Sequence, residues 1–61
     1  MIFAKLKAGQ FFRRDGSVFM KTINVEDSNA VEITGWPGRQ WLYGETAEVE
    51  KTYISFKEVR A

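Results

Sequence analysis

An Asp-Gly pair at positions 15 and 16 separates two short runs of alternating residues. The pair is a strong hairpin signal because a two-residue primed turn needs positive backbone φ angles, which glycine adopts without steric cost. It predicts an antiparallel hairpin with strands over residues 10 to 14 and 17 to 23. Because neighbouring side chains point to opposite faces, one of Phe11 and Phe12 should face the core and the other should not.

A third and a fourth strand are predicted after this hairpin. Residues 24 to 29 are polar and indicate a connection, after which Val31 and Ile33 alternate with Glu32 as in a half-buried antiparallel strand. Two glycines and the only proline then indicate a chain reversal. The fourth strand is expected over residues 39 to 43.

The two ends of the chain are harder to assign. Residues 51 to 58 are rich in β-branched and aromatic side chains and favour a closing strand after a turn at residues 45 to 50. Helical spacing of Val49, Tyr53 and Phe56 leaves a helix as the alternative. Residues 2 to 9 predict either a short strand or a loop that leads into the first hairpin.

Length and composition predict one small all-β domain over residues 1 to 61. The chain is 44% hydrophobic and contains no cysteine, so its core has to form without disulfides. Five short strands cannot make two packed sheets of useful size. We therefore expect one strongly bent antiparallel sheet, curled into a small SH3-like barrel that protects its strand edges. A plain meander that buries its bare face in a homodimer is the alternative.

The residue types argue against catalysis. The absence of histidine and cysteine removes the commonest general base, thiolate metal sites and the Ser-His-Asp arrangement. Glu48 and Glu50 would share one face of a strand and could pair as carboxylates, but a solvated acidic edge is preferred because so small a barrel lacks a deep pocket. No phosphate-binding glycine motif is present. We expect no enzyme activity, no cofactor and no metal.

An aromatic segment after the chain reversal predicts a protein-binding surface. Tryptophan, tyrosine and arginine dominate binding hot spots because they combine large apolar area with a polar group. Trp36 lies in the turn, where burial on all sides is difficult, and either Trp41 or Leu42 should face outward. The alternative is that Trp41 is a core residue and Trp36 covers an open barrel end. The predicted binding residues are Trp36, Arg39, Trp41 and Tyr43.

Charge segregation supports a second hypothesis, nucleic-acid binding. The net charge is only +1, but five basic residues and a single acid lie between positions 5 and 21, whereas six acids and one arginine lie between positions 26 and 50. In this hypothesis Phe11 or Trp36 stacks on bases, and five cations contact phosphates. The cations are Lys5, Lys7, Arg13, Arg14 and Lys21. Protein binding is preferred because the net charge is small.

Several short motifs resemble those of small uncharacterised bacteriophage and bacterial proteins. The resemblance covers most of residues 6 to 50. It comprises L-x-x-G-x-x-F at Leu6, Gly9 and Phe12, then an apolar residue followed by x-K-T at Phe19 and residues 21–22, and N-A-V, T-G and E-V-E at residues 29–31, 34–35 and 48–50. It implies a phage-type accessory protein and assigns no active site. In the protein-binding hypothesis the expected partner is a host or viral protein. The chain has no apolar run long enough to span a membrane and no signal-peptide core, so a cytoplasmic location is expected.

Overall fold

The computed structural model describes residues 1–53 and shows an all-β protein. Its strands form a single antiparallel sheet in the order β4-β3-β2-β1-β5. They are β1 (Phe11–Arg14), β2 (Ser17–Val25), β3 (Ser28–Glu32), β4 (Gln40–Trp41) and β5 (Glu50–Thr52). The predicted five-stranded antiparallel fold is confirmed. Within the described chain β4 and β5 do not pair with each other, so the sheet is open and a closed barrel is not formed there.

The first hairpin has the predicted turn. Asp15 and Gly16 have φ angles of 53° and 80°, as a two-residue primed turn requires. Phe12 pairs with Phe19 across β1 and β2 and is completely buried, whereas Phe11 lies on the opposite face and is half-buried. Phe12 is therefore the inward-facing phenylalanine of the pair.

The second hairpin is tighter than the polar sequence indicates. Strand β2 continues to Val25, which pairs with Ser28, so only Glu26 and Asp27 form the loop. Glu26 takes the positive φ of 55° that this turn needs. The connection predicted over residues 24 to 29 is therefore shortened to residues 26 and 27, because its first two residues lie in β2 and its last two in β3.

Asn29 shows how a polar residue is accommodated in β3. Its side-chain amide donates to the Tyr43 carbonyl at 2.9 Å and accepts from the Tyr43 amide at 2.9 Å. The asparagine thus replaces a backbone pair beyond the end of the two-residue strand β4, and its burial leaves no polar atom unsatisfied.

The buried side of β3 is the reverse of the one that its alternation favours. Ala30 and Glu32 are buried, at 1% and 7% exposure, whereas Val31 and Ile33 are only half-buried. Register explains the exchange, because Glu32 pairs with Phe19, whose side chain belongs to the core. A carboxylate therefore lies beside the aromatic core and needs hydrogen-bond donors there.

The last two strands are shorter than expected. Strand β4 covers two residues of the predicted 39 to 43, and β5 (Glu50–Thr52) pairs with β1. A strand thus replaces the helical alternative at residues 50–52, and residues 54–58 of the predicted closing strand lie outside the described chain. No helix in residues 1–53 is long and apolar enough to cross a membrane.

The N-terminal segment covers the open side of the sheet as a short 3₁₀ helix, Phe3–Lys5, rather than as a strand or an irregular loop. The Phe3 amide donates to the Ala47 carbonyl at 2.8 Å, and the Lys21 ammonium donates to the carbonyls of Phe3 and Leu6 at 3.1 and 2.6 Å. These bonds hold the apolar side chains of Phe3 and Leu6 over the sheet. The buried core cluster consists of Phe3, Leu6, Phe12, Phe19, Ala30 and Val49.

Candidate protein-binding surface

Residues 33–39, which we call the tryptophan loop, connect β3 and β4 and fold back on the sheet. The Ile33 amide donates to the Val18 carbonyl at 2.7 Å, which ties the start of the loop to β2. At its other end the Gly38 amide donates to the Glu32 carbonyl, and the Glu32 amide donates to the Arg39 carbonyl, both at 2.8 Å. The loop is thus fixed at both ends while the Trp36 side chain stays 66% exposed.

The Glu32 carboxylate fixes the middle of the tryptophan loop. One oxygen accepts the Trp36 amide at 2.9 Å, and the other accepts the Trp41 indole N–H at 3.1 Å. The hydrogen bond from the Trp36 amide is the main cause that lowers the pKa of Glu32. The Trp41 indole, the Ser17 hydroxyl and the Arg39 charge act in the same direction, against the desolvation that raises the pKa. An ionised Glu32 therefore positions both tryptophans.

A pH dependence of stability follows from this carboxylate. Because the folded-state pKa lies below the ordinary value of 4.5, the contribution of Glu32 is complete above pH 4.5 and is lost as the pH falls through the folded-state pKa. We expect Glu32→Gln to be less stable than the wild type at pH 7, since the amide group has an N–H where two donors already point. Below pH 4.5 the difference between the two proteins should shrink.

Urea unfolding of wild type and Glu32→Gln across this pH range, followed by tryptophan fluorescence, measures the difference. A difference in unfolding free energy that stays constant from pH 7 to pH 3 would contradict the assignment of the bonded charge to Glu32.

Arg39 lies between the two tryptophans. Its guanidinium carbon is 4.9 Å from the centre of the Trp36 ring and 4.6 Å from that of Trp41, both within the range of cation–π attraction. We call Trp36, Arg39 and Trp41 the indole platform. Contact with both rings restricts the guanidinium rotamers.

Trp41 and Tyr43 also belong to the wall of the core. The Trp41 ring contacts Phe19 at 5.9 Å and Tyr43 at 6.0 Å, and both residues pack against the core cluster. Burial raises the pKa of the Tyr43 hydroxyl. Leu42, which alternates with Trp41, is 64% exposed. The four predicted binding residues thus form one continuous group in which Trp36 and Arg39 are exposed and the other two support them.

The residues of the nucleic-acid hypothesis do not gather on one surface. The register of β1 places Phe11 and Arg13 on one face and Arg14 on the other. Arg14 donates to the Glu48 carbonyl at 3.2 Å and lies 5.5 Å from the Tyr43 ring centre. Lys5 and Lys7 are exposed in the N-terminal segment.

Lys21 is occupied within the fold. Besides its two carbonyl acceptors, its ammonium lies 4.5 Å from the centre of the Phe3 ring. Lys21 contributes to a shallow groove of about 360 Å³, which it lines with Phe3, Leu42 and Tyr43 among others. Since carbonyls and the ring already surround this ammonium, its charge holds the N-terminal segment in place.

The remaining acidic candidates lie apart from the indole platform. Glu48 is exposed and forms an ion pair with the N-terminal ammonium at 3.3 Å, and Glu50 is exposed on β5. Within residues 1–53 no three acidic side chains come together in a way that could hold a metal ion.

Glu32 is the residue of this candidate surface that the sequence did not reveal. It precedes Trp36 and Trp41 by four and nine positions, and no local motif marks it as their common acceptor. An acidic residue alternating with Val31 and Ile33 has the pattern of a solvent-facing side chain. Only the pairing of Glu32 with Phe19 places its carboxylate inside.

The chain matches no protein-family model, and no curated protein or solved structure is significantly similar to it. The geometry of the described residues is therefore the basis for a functional proposal.

Proposed function

We propose that this protein is a small non-catalytic binding module that docks on another protein through the indole platform. The observation that carries the proposal is the combination of exposure and order at Trp36. Its side chain is 66% exposed, while its backbone amide is held by the Glu32 carboxylate at 2.9 Å. A large apolar side chain on an anchored backbone loses less conformational entropy when a partner covers it than one on a free loop.

The surroundings of Trp36 support the same proposal. Exposed Arg39 supplies a polar group beside the indole, and Trp41 supports it from the core side. Hot spots typically combine such aromatic and arginine side chains. The resemblance to phage-type proteins supports an accessory role in a bacterial cytoplasm, with a host or viral protein as the partner.

The test is affinity capture from a bacterial lysate with immobilised wild type, Trp36→Ala and Tyr53→Ala. Tyr53 is the matched control, because it is an exposed aromatic residue at 79% exposure and follows β5 at the opposite end of the strand order. We expect Trp36→Ala to reduce recovery of the specific partner about 30-fold, as for a hot-spot residue. Tyr53→Ala should recover the partner as well as the wild type does.

Capture is repeated at ~0.05 M and ~0.5 M salt, because an aromatic interface depends little on salt whereas phosphate contacts weaken steeply. Circular dichroism establishes that each variant is folded. Recovery that is unchanged in folded Trp36→Ala contradicts the proposal. Recovery of nucleic acid that disappears at the higher salt favours the alternative function.

A further inference from the structure

The Arg39 guanidinium combines restricted geometry with unused hydrogen-bond donors. Two indoles hold it at 4.9 and 4.6 Å, and the residue is exposed. Among residues 1–53, none of its five N–H groups donates a hydrogen bond, and it forms no ion pair within 4.0 Å. Its donor edge is therefore available for an external group.

The nearby Glu32 does not use this donor edge. Its charge and that of Arg39 attract each other, but its oxygens accept the Trp36 amide and the Trp41 indole N–H. A planar guanidinium with a free edge matches a carboxylate in a bidentate arrangement. Indoles on both sides exclude part of the water, which strengthens such a pair relative to one on an open surface.

We infer that the indole platform recognises an acidic peptide segment in which a carboxylate binds Arg39 and a neighbouring apolar side chain packs on Trp36. This inference rests on the proposed function and names the chemistry of its partner. A nucleic-acid phosphate backbone binds several cations together. A single carboxylate is favoured over such a backbone because two of the candidate cations, Arg14 and Lys21, are already engaged with other parts of the fold.

The probes are the peptides acetyl-Leu-Glu-Phe-Asp-Leu-amide and acetyl-Leu-Gln-Phe-Asn-Leu-amide, which differ only in their carboxylates. Titration into ¹⁵N-labelled full-length protein, followed by the indole and arginine side-chain resonances, measures both affinities. We expect the acidic peptide to bind about fivefold more tightly and to shift Trp36 and Arg39 resonances. The preference should weaken as salt is added.

Three variants identify the responsible group. Arg39→Gln should abolish the preference for the acidic peptide, and Arg39→Lys should lose most of it, because an ammonium keeps the charge without the planar fork. Lys5→Gln removes one positive charge from an exposed position in the N-terminal 3₁₀ helix and should leave the preference intact. One-dimensional spectra of each variant establish that the fold is unchanged.

Equal binding of the two peptides at Trp36 would overturn the inference and leave the protein-binding proposal standing. An equal effect of Arg39→Gln and Lys5→Gln would also overturn it, since net charge would then explain the preference. Tighter binding of a thymidine octanucleotide to the same resonances, abolished by Arg39→Gln, would assign the donor edge to phosphate instead. Loss of partner capture in Trp36→Ala tests the proposed function separately.

Discussion

Phe12→Ala is expected to lower the free energy of unfolding by about 3–5 kcal/mol. The Phe12 side chain is completely buried, and its ring contacts those of Phe3, Phe19 and Tyr43 at 5.2 to 5.4 Å. Truncating such a phenylalanine costs about 3–5 kcal/mol. A domain of this length has a total stability of only roughly 3–9 kcal/mol. The loss therefore consumes much or all of the free energy of unfolding.

Phe11→Ala is the matched control because it removes the same side chain from the neighbouring position of β1. Phe11 is half-buried on the other face, where it pairs with Met20. We expect a cost of about 1 kcal/mol, typical of a partly exposed site. Urea unfolding followed by circular dichroism compares the two variants. Similar losses in both would contradict the assignment of Phe12 to the core and Phe11 to the outer face.

This pair of phenylalanines shows how far local sequence signals reach. The Asp15-Gly16 turn and the alternation around it predicted the hairpin, because the backbone requirement of a primed turn is local. They could not decide which phenylalanine is buried, since that depends on which face the rest of the sheet covers. The N-terminal 3₁₀ helix makes that choice by placing Phe3 against Phe12 at 5.4 Å.

Glu32 marks a second limit of the sequence. A strand is expected to bury its apolar residues, yet here the carboxylate is inside and Ile33 is only half-buried. The cost of burying a charge is offset by donors from Trp36 and Trp41, which lie in a loop and in the next strand. That compensation depends on three-dimensional contacts and is invisible in a local pattern.

The indole platform could be predicted in composition but not in arrangement. Trp36, Arg39 and Trp41 lie within six consecutive positions, so their proximity follows from the chain reversal between them. Stacking of the guanidinium between two indoles requires both the loop conformation and the Glu32 anchor. The Glu32 carboxylate also lies next to Gly35, which makes that position sensitive to substitution.

Gly35→Ala is expected to destabilise the protein and to disturb the platform, because two effects act at this position. The glycine has a φ of +81°, where an L side chain costs about 1–2 kcal/mol. An added Cβ would also lie 2.5 Å from a Glu32 carboxylate oxygen and 2.8 Å from the Ser17 hydroxyl oxygen. The Glu32 carboxylate is held by hydrogen bonds from Trp36 and Trp41. Displacing it should add about 1–3 kcal/mol, as overpacking does in cores.

Gly38→Ala separates the two effects, because Gly38 lies in the same loop at a φ of +88° and an added Cβ there has no neighbour within 4 Å. It should show the backbone cost alone. The protein has two tryptophans, so its indole N–H resonances report directly on the Glu32 bond to Trp41. We expect Gly35→Ala to shift the Trp41 resonance and to lower the unfolding free energy more than Gly38→Ala does. Gly38→Ala should leave the Trp41 resonance in place. Equal unfolding free energies and unshifted indole resonances in both variants would mean that Glu32 does not anchor the tryptophan loop, and the order of the indole platform would then need another cause.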